Sequence, residues 1–337
     1  MINSSLFMPG KTALPCRMQF RSRRFELLRA VPLIFFVALV VILPVWSAGQ
    51  DEIAVVYPDI GEPYRAIFEE IIKGVEDKVG TQVSSYPVSS DTDIPGLEAR
   101  LQHDKIKVVI ALGRQGMKTA TLLNLNSGSV VVGGVLTVPE DEARRQPVVT
   151  LSPDPALLFA RMKELMPTTK RVYVVYDPGF NEWLIKLAKD AANALGLELV
   201  AYKSHDLRSA VESYQKIFSE ADNHKDVLWL PQDPTTVEES SILPLVLQES
   251  WNQSIAVISS NFGHVRRGVL FALYPDNEAL GKRLAGLSED ILNSNAETEI
   301  TGLMTLLDVK SAINYRTAKH LGINPMRLKS FDTAFPE

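Results

Sequence analysis

Charged and aromatic side chains stand where several predicted strands end, and their types suit the binding of a small molecule. Arg114 follows a buried run and can grip a carboxylate or phosphate through two parallel hydrogen bonds. Asp177 and Asp233 carry carboxylates that can hold an ammonium group, and the rings of Tyr176 and Phe262 can flank an apolar portion. This combination fits an amino acid or a related zwitterion better than a neutral sugar.

The other candidate ligand-binding residues lie at the same strand ends. They are Tyr57, Asp59, Gly113, Gln115, Phe180, Asn181, Gln232, Thr235, Ser260 and Asn261. The helix that follows Gly113 would add backbone amides suited to an anion. Two plainer interpretations stay open: Arg114 as an exposed rim residue, and Asp177 as a turn former in Asp-Pro-Gly.

The sequence carries no fingerprint of catalysis or of metal binding. It has no G-x-G-x-x-G, no P-loop lysine motif and no G-x-S-x-G elbow. Its five histidines are scattered singly, without the close pairs that hold zinc. We therefore predict a protein that is not an enzyme, with no catalytic residue, no metal ligand and no cofactor.

The elements that must position the candidate residues follow one repeated design. Segments that begin at Ile53 and at Val172 each read as an apolar run, a Tyr, an Asp/Pro pair, an amphipathic stretch, a Gly and a second apolar run. This order is the signature of a βαβ unit in a parallel sheet. Two such units predict two similar α/β lobes, whose strands present their carboxyl ends to a shared cleft.

The coarse map alternates strands and helices, which predicts an α/β fold of two Rossmann-like lobes with parallel sheets. Strands are predicted at 53–57, 81–86, 107–112, 130–135, 172–176, 197–202, 226–230, 255–259 and 269–273. Helices are predicted at 63–79, 94–103, 115–123, 154–165, 181–195, 208–221, 237–251, 277–294 and 311–321. Asp154 and Asn181 are predicted helix caps, and Gly80 and Gly196 are predicted left-handed helix ends.

The predicted lobes exchange chain segments. The stretch 152–170 reads as the last helix of lobe 1 and the link into lobe 2, with the crossing near 166–171 and the return near 274. Lobe 1 is expected to comprise 50–167 plus about 275–296, and lobe 2 to comprise 168–274 plus about 297–337. The helix at 277–294 is then expected to pack on lobe 1.

The first 49 residues read as an export signal. Five arginines precede an apolar run at 31–46, and small residues follow at Ser47 to Gly49. A retained membrane anchor is the alternative, because residues 30–50 carry no charge and are just long enough to span a bilayer. In both cases the basic flank stays inside, and the remainder is exported to the periplasm.

The composition of the residues after 50, the predicted exported body, excludes several kinds of partner and site. Residues 1–50 hold six basic and one acidic residue of the chain's 35 and 40, so the rest carries a net charge of −10. This charge argues against nucleic acid or an anionic membrane surface as a partner. Cys16, the only cysteine, lies upstream of the apolar run, so the body has neither disulfides nor thiolate sites.

The order of several motifs resembles the ABC transporter substrate-binding protein family, which has the type I periplasmic-binding fold. The matching stretches are KRVYVVYDPGFNEWLIKLAKDAANALGLEL from Lys170, DVLWLPQDPTTVEE from Asp226, IAVISSNFGHVRRGVLFAL from Ile255, YPDNEALGKRLAGLSEDIL from Tyr274, and the tail INYRTAKHLGI from Ile313. The likeness covers most of 51–325 and is weaker in the first lobe. The family commonly has a small or hydroxyl residue near Arg114, so that position departs from its pattern.

The resemblance implies a solute-binding protein that captures a small molecule between its lobes and delivers it to an ABC permease in the inner membrane. Some members of the family bind aromatic amino acids. A tethered periplasmic sensor that presents ligand to a signalling partner is the alternative, because the anchored form of either protein would look the same in sequence.

Overall fold

The computed structural model describes residues 52–125, 129–138, 143–293, 301–328 and 330–336. Its strands, in chain order, are β1 (Ile53–Pro58), β2 (Ser84–Val88), β3 (Val108–Leu112), β4 (Val130–Val135), β5 (Pro147–Pro153), β6 (Arg171–Tyr176), β7 (Glu198–Lys203), β8 (Asp226–Leu230), β9 (Ala256–Ser259), β10 (Phe271–Pro275), β11 (Gly302–Leu306), β12 (Val309–Asn314) and β13 (Thr333–Phe335).

Helices alternate with these strands along most of the chain. They are α1 (Tyr64–Val79), α2 (Ile94–His103), α3 (Gly113–Leu122), α4 (Pro155–Leu165), α5 (Pro178–Ala194), α6 (Leu207–Glu220), α7 (Ile242–Gln253), α8 (Phe262–Arg267), α9 (Asn277–Asn293) and α10 (Tyr315–His320), with a short 3₁₀ turn at Pro325–Arg327. Gly80 and Gly196 end α1 and α5 in the left-handed conformation that the sequence predicts. The export segment at 1–49 lies outside the described residues.

Two sheets form the centres of two lobes. The first has the order β11-β5-β4-β3-β1-β2 and is parallel throughout. The second has the order β13-β12-β10-β9-β8-β6-β7, in which only β12 runs antiparallel to its neighbour β10. The predicted α/β class with two parallel-sheet lobes is confirmed.

The central strands are continuous apolar runs because helices cover both of their faces. All residues of β3 and of β8 are buried. Along β6, Val174 and Tyr176 pack into one cluster of the second lobe, and Tyr173 and Val175 pack into another cluster on the opposite face.

Helix α9 follows the second lobe in sequence but packs on the first. A Cβ at Gly281 would overlap the carbonyl of Ile71, and a Cβ at Gly74 would overlap the carbonyl of Glu278. Glycines at these two positions therefore let α1 and α9 cross with their backbones in contact. Gly133 of β4 similarly leaves space for the side chain of Leu284.

The segment 152–170 differs from its sequence assignment to lobe 1. Helix α4 packs on the second sheet, since its Phe159 meets Trp229 edge to face with the ring centroids 5.5 Å apart. Leu158, Phe159 and Met162 share a cluster with β6 residues. The chain therefore crosses at Pro153–Asp154, ahead of this helix, because the apolar face of α4 matches the second lobe.

Residues 302–306 also depart from their assignment to lobe 2. Strand β11 pairs with β5 at the edge of the first sheet, where Gly302 aligns with Pro147. The final crossing comes only after β11. The predicted helix at 311–321 is instead β12 followed by the short α10, which begins where the Asn314 side chain accepts a hydrogen bond from the Thr317 amide.

Several smaller differences have local causes. Helix α5 begins at Pro178 and not at Asn181, because Asp177 caps it. Helix α7 begins at Ile242, since the Glu238 carboxylate accepts bonds from the amides of Ser240 and Ser241 and holds the preceding residues in a turn. Strands β5, β11 and β13 and the helix α8 were not predicted, since they are short or proline-bounded.

Three crossing segments join the lobes, at 153–154, 275–277 and 306–309. The Asp154 amide donates to the Leu306 carbonyl at 2.9 Å, and the Asp276 amide donates to the Asp308 carbonyl at 2.9 Å. Burial raises the pKa of the Asp308 carboxyl, and nearby Asp276 adds to this effect. Within the described residues, no helix is both long and apolar enough to cross a membrane.

Candidate functional site

The first lobe brings its predicted site residues together at one edge of the sheet. Strands β1 and β3 are neighbours, with Val56 aligned to Ala111, so the residues that follow both strands lie side by side. These residues are Tyr57, Asp59, Gly113, Arg114 and Gln115.

Helix α3 offers uncapped amides at this edge. Gly113 opens the helix with φ +65°, and a Cβ there would lie 3.1 Å from the Pro58 ring, so both conformation and space favour glycine. The preceding Leu112 provides no side-chain cap. The first-turn amides are therefore left for water or for a bound anion.

Arg114 is an exposed residue of this first turn. No described residue forms a hydrogen bond or an ion pair with its guanidinium. Its neighbour Gln115 is half-buried. The positive charge and the uncapped amides belong to the same first turn, so this edge is electrostatically suited to a carboxylate or phosphate.

Tyr57 and Asp59 complete the edge of the first lobe. Tyr57 is half-buried, and its ring lies 6.4 Å from that of Phe68. The Asp59 carboxylate is exposed and only loosely paired, with its Oδ1 3.9 Å from Nη2 of Arg65. An ion pair this long and this exposed contributes little to stability.

The second lobe places its three groups of candidates on adjacent strands. Residues that follow β6, β8 and β9 meet at one edge, because these strands are neighbours in the sheet. At its centre, the buried Asp233 carboxylate accepts four hydrogen bonds: from the amides of Asp177, Thr235 and Thr236 and from the Asn181 side chain. Its accepting capacity is filled, so Asp233 organises the loops and has no site left for a ligand ammonium.

Asp177 retains a free oxygen. Its Oδ1 accepts from the Gly179 amide at 2.9 Å and lies 3.8 Å from the His205 ring. No described residue donates to Oδ2. Asp177 is therefore both the cap of α5 and a possible acceptor for a ligand cation, so both sequence interpretations of this residue are compatible with its geometry.

Tyr176 lies in the hydrophobic core and not in the cleft. Its side chain is 2% exposed, and its hydroxyl donates to Glu182 at 3.0 Å. Phe180, in the first turn of α5, is half-buried and belongs to none of the described hydrophobic clusters. Phe180 is thus the better candidate for contact with an apolar ligand group.

The residues after β9 serve the lobe itself. Buried Ser260 accepts from the Trp229 indole, and Asn261 caps α8 by accepting from the Gly263 amide. Phe262 packs against the ring of Tyr274, with centroids 4.7 Å apart. Buried Asn181 likewise donates within the lobe, and half-buried Thr235 lies in the loop held by Asp233.

Gln232 connects the two edges. Its Nε2 donates to the Ser260 carbonyl at 2.8 Å and to the Leu151 carbonyl of β5 at 3.3 Å. The carboxyl ends of β8 and β5 therefore face each other across the lobe boundary. Gln232 is thus the candidate residue whose contact with the other lobe the structure shows.

His264, beside this edge, was not among the sequence candidates. Burial lowers its pKa to about 4, with a smaller contribution from the charge of Arg267. Its Nδ1 lies 2.8 Å from the Ser259 hydroxyl. The described part of the chain contains no cluster of His, Cys, Asp or Glu arranged to hold a metal ion.

The geometry defines an α/β protein of two lobes, and sequence comparison assigns its family. The profile of the ABC transporter substrate binding protein family matches residues 158–327, which is half of the chain. The protein belongs to this family, whose members bind substrates and typically work outside the cytoplasm. A search of curated proteins found no match.

Solved structures share the fold at low sequence identity. The ligand-free, open structure of a substrate-binding protein with adhesive properties from Clostridium difficile is 17% identical in sequence. Its alignment covers 83% of this chain and 98% of the other chain, with a TM-score of 0.57. An ABC domain in complex with L-Trp from Streptococcus pneumonia is 18% identical, with 84% and 98% coverage and a TM-score of 0.51. A conserved domain protein from Vibrio cholerae is 17% identical, with the same coverages and TM-score. The fold is therefore that of type I periplasmic binding proteins.

Proposed function

We propose that this protein captures an amino acid or a related zwitterion in the cleft between its lobes. The observation that carries the proposal is Arg114, whose guanidinium has no partner among the described residues, at the uncapped start of α3. This edge favours the carboxylate of the ligand. Asp177 on the opposing lobe favours its ammonium group through the free Oδ2.

The charge arrangement distinguishes this ligand class from neutral solutes. One lobe presents a cation with helix amides, and the other presents a carboxylate, so a molecule with one charge of each sign satisfies both. Asp233 supports the second lobe indirectly, because it binds the Asp177 amide at 2.7 Å. The complex of a structural neighbour with L-Trp is compatible with this class of ligand.

The proposal extends to the way in which the ligand is used. The exported protein works in the periplasm, cleaved from or anchored by its N-terminal segment, and passes its ligand to an ABC permease in the inner membrane. Of the described residues, those in 52–153 and 277–306 form lobe 1, and those in 154–275 and 309–336 form lobe 2. A ligand held from both sides favours the closed arrangement of these lobes.

A thermal-shift screen over amino acids, nucleosides and sugars tests the ligand class. A ligand at 100 times its dissociation constant stabilises the folded state by about 2.7 kcal/mol, so a true ligand is readily detected. We expect amino acids to raise the melting temperature and sugars to leave it unchanged. Stabilisation by sugars alone would overturn the zwitterion proposal.

Small-angle scattering on the same samples tests closure. The radius of gyration should fall when the ligand saturates the protein. An unchanged radius would argue for a rigid receptor.

A further inference from the structure

A second cavity lies in the second lobe, away from the cleft. It has a volume of about 400 Å³ and is bordered by the ends of α7 and α8 and by α10. Strands β9 and β10 begin beside it, whereas the cleft lies at their carboxyl ends. The side chains that matter most are Trp251, Arg266, Arg267, Arg316 and His320.

The charged side chains that line this cavity are basic. Three arginines and a histidine border it, and none of the described residues that line it is a carboxylate. The rest of the exported body is acidic, with a net charge of −10 after removal of residues 1–50. Concentrated positive charge in an acidic protein therefore marks this place as unusual on its surface.

Two of the arginines keep their hydrogen-bonding capacity. Arg316 lies over the Trp251 ring at 5.4 Å, and Arg266 lies over the Phe335 ring at 5.9 Å. Neither forms a hydrogen bond or an ion pair with a described residue. Arg267 donates to the Glu239 carbonyl and lies 3.7 Å from its exposed carboxylate, a weak pair that leaves donors free.

The frame around these arginines is held by hydrogen bonds. The His320 ring stacks on Trp251 with centroids 3.8 Å apart, and its Nε2 lies 3.0 Å from the Trp251 carbonyl. Asn314 donates to the Val265 carbonyl, and Thr317 donates to the Gly268 carbonyl. These bonds fix α10 against α8, so the backbones that carry Arg266 and Arg316 are held in place next to the cavity.

We propose that this cavity binds the phosphate group of a phosphomonoester or phosphodiester. Several planar guanidinium forks match the tetrahedral set of phosphate oxygens. The dianion of a phosphomonoester satisfies more of this charge than a carboxylate does, whereas a phosphodiester brings one negative charge and two non-bridging oxygens. The cavity is on one lobe only, so its occupancy does not require closure of the cleft. The phosphate belongs either to a soluble metabolite or to a lipid headgroup at the membrane.

Titration calorimetry with phenyl phosphate tests the soluble source. The variant Arg266→Ala/Arg316→Ala should bind at least about tenfold more weakly than the parent, because charge-assisted bonds are lost. Arg316→Lys should fall between the two, since it keeps the charge but loses the fork. The control Arg208→Ala removes one positive charge from the exposed surface of α6 and should leave binding unchanged.

Flotation with vesicles tests the lipid source. If a lipid headgroup is the ligand, the parent should float with vesicles of phosphatidylglycerol and the double variant should not. Vesicles of phosphatidylcholine alone, which carry no net charge, are the control. Urea unfolding of every variant confirms that it remains folded. The proposal is overturned if the parent binds neither phenyl phosphate nor phosphatidylglycerol vesicles, or if the folded double variant binds within twofold of the parent.

Discussion

The two lobes present opposite chemistry at their facing edges. In the first lobe, α1, α2 and α3 all begin without a side-chain cap. In the second lobe, Asp177, Asp206 and Asn261 cap α5, α6 and α8, whereas α7, which follows β8, begins without a side-chain cap. Uncapped amides and an arginine without a partner among the described residues thus lie on the first lobe, and the second lobe satisfies most of its helix starts with its own side chains.

In the function proposed above, two lobes built from similar βαβ units have different roles in ligand binding. The first lobe has hydrogen-bond donors available for an anion, whereas most polar groups of the second lobe form hydrogen bonds that hold its own loops. Asp59 and Asp233 illustrate the contrast, since one is exposed with a 3.9 Å ion pair and the other is buried with four hydrogen bonds. Both follow a strand, but of the two only Asp233 joins the loops of its lobe by hydrogen bonds.

The substitution Asp233→Ala should give the largest effect on stability. It leaves three amides and one side-chain donor without their acceptor, and we expect a loss of about 3–5 kcal/mol in the free energy of unfolding. The matched change Asp59→Ala in the first lobe should cost less than about 0.5 kcal/mol. Urea unfolding of both variants decides the comparison, and equal costs would refute the asymmetry.

His264 should make the protein less stable in acid. Because burial lowers the pKa of the folded imidazole from 6.5 to about 4, the unfolded state binds more protons between these values, and stability falls as pH falls through that window. At pH 4.5 the loss attributable to this group should be about 2–3 kcal/mol.

The variant His264→Asn should remove that part of the acid sensitivity. The control His103→Asn changes an imidazole that is 88% exposed in the first lobe and lies 2.8 Å from the Asp104 carboxylate, and it should alter the pH dependence much less than His264→Asn does. Urea unfolding at pH 7 and pH 4.5 measures the difference. An unaltered pH dependence in His264→Asn would show that the imidazole is protonated at little cost.

Two substitutions at Asp177 should separate its roles as cap and as ligand acceptor. Asp177→Asn keeps an oxygen for the Gly179 amide, so its stability should stay within about 0.5 kcal/mol of the parent, whereas Asp177→Ala should cost about 1 kcal/mol. Both variants should bind a zwitterion more weakly, because both lack the negative charge. If Asp177→Asn binds as the parent does, Asp177 is a cap alone.

The sequence predicted the positions of helices and strands better than it predicted which lobe each of them packs on. Apolar runs such as β3 and β8 were read correctly because both faces are buried. The membership of α4 in the second lobe was not predictable, because Phe159 meets Trp229, 70 residues away. Asp233 was recognised as a strand-end residue, but its four donors come from separate loops that only the fold brings together.

The aromatic candidates show the same limit. Tyr176 ends a strand, but the alternation of side chains along β6 places it in the hydrophobic core. Phe180, in the first turn of the helix that follows, belongs to none of the described hydrophobic clusters. Arg114 could be singled out from its position after a buried run. Its lack of a partner among the described residues could not, since this depends on every neighbour.

Calorimetric titration of Arg114→Ala with the amino acid found in the screen tests the central claim. A charge-assisted contact in a desolvated cleft is worth about 2–5 kcal/mol, so binding should weaken at least about 30-fold. Lys118→Ala, which removes an exposed charge one turn further along α3, should bind like the parent. If Arg114→Ala binds within a factor of two of the parent, Arg114 is a rim residue and the first lobe does not hold the anionic group as proposed.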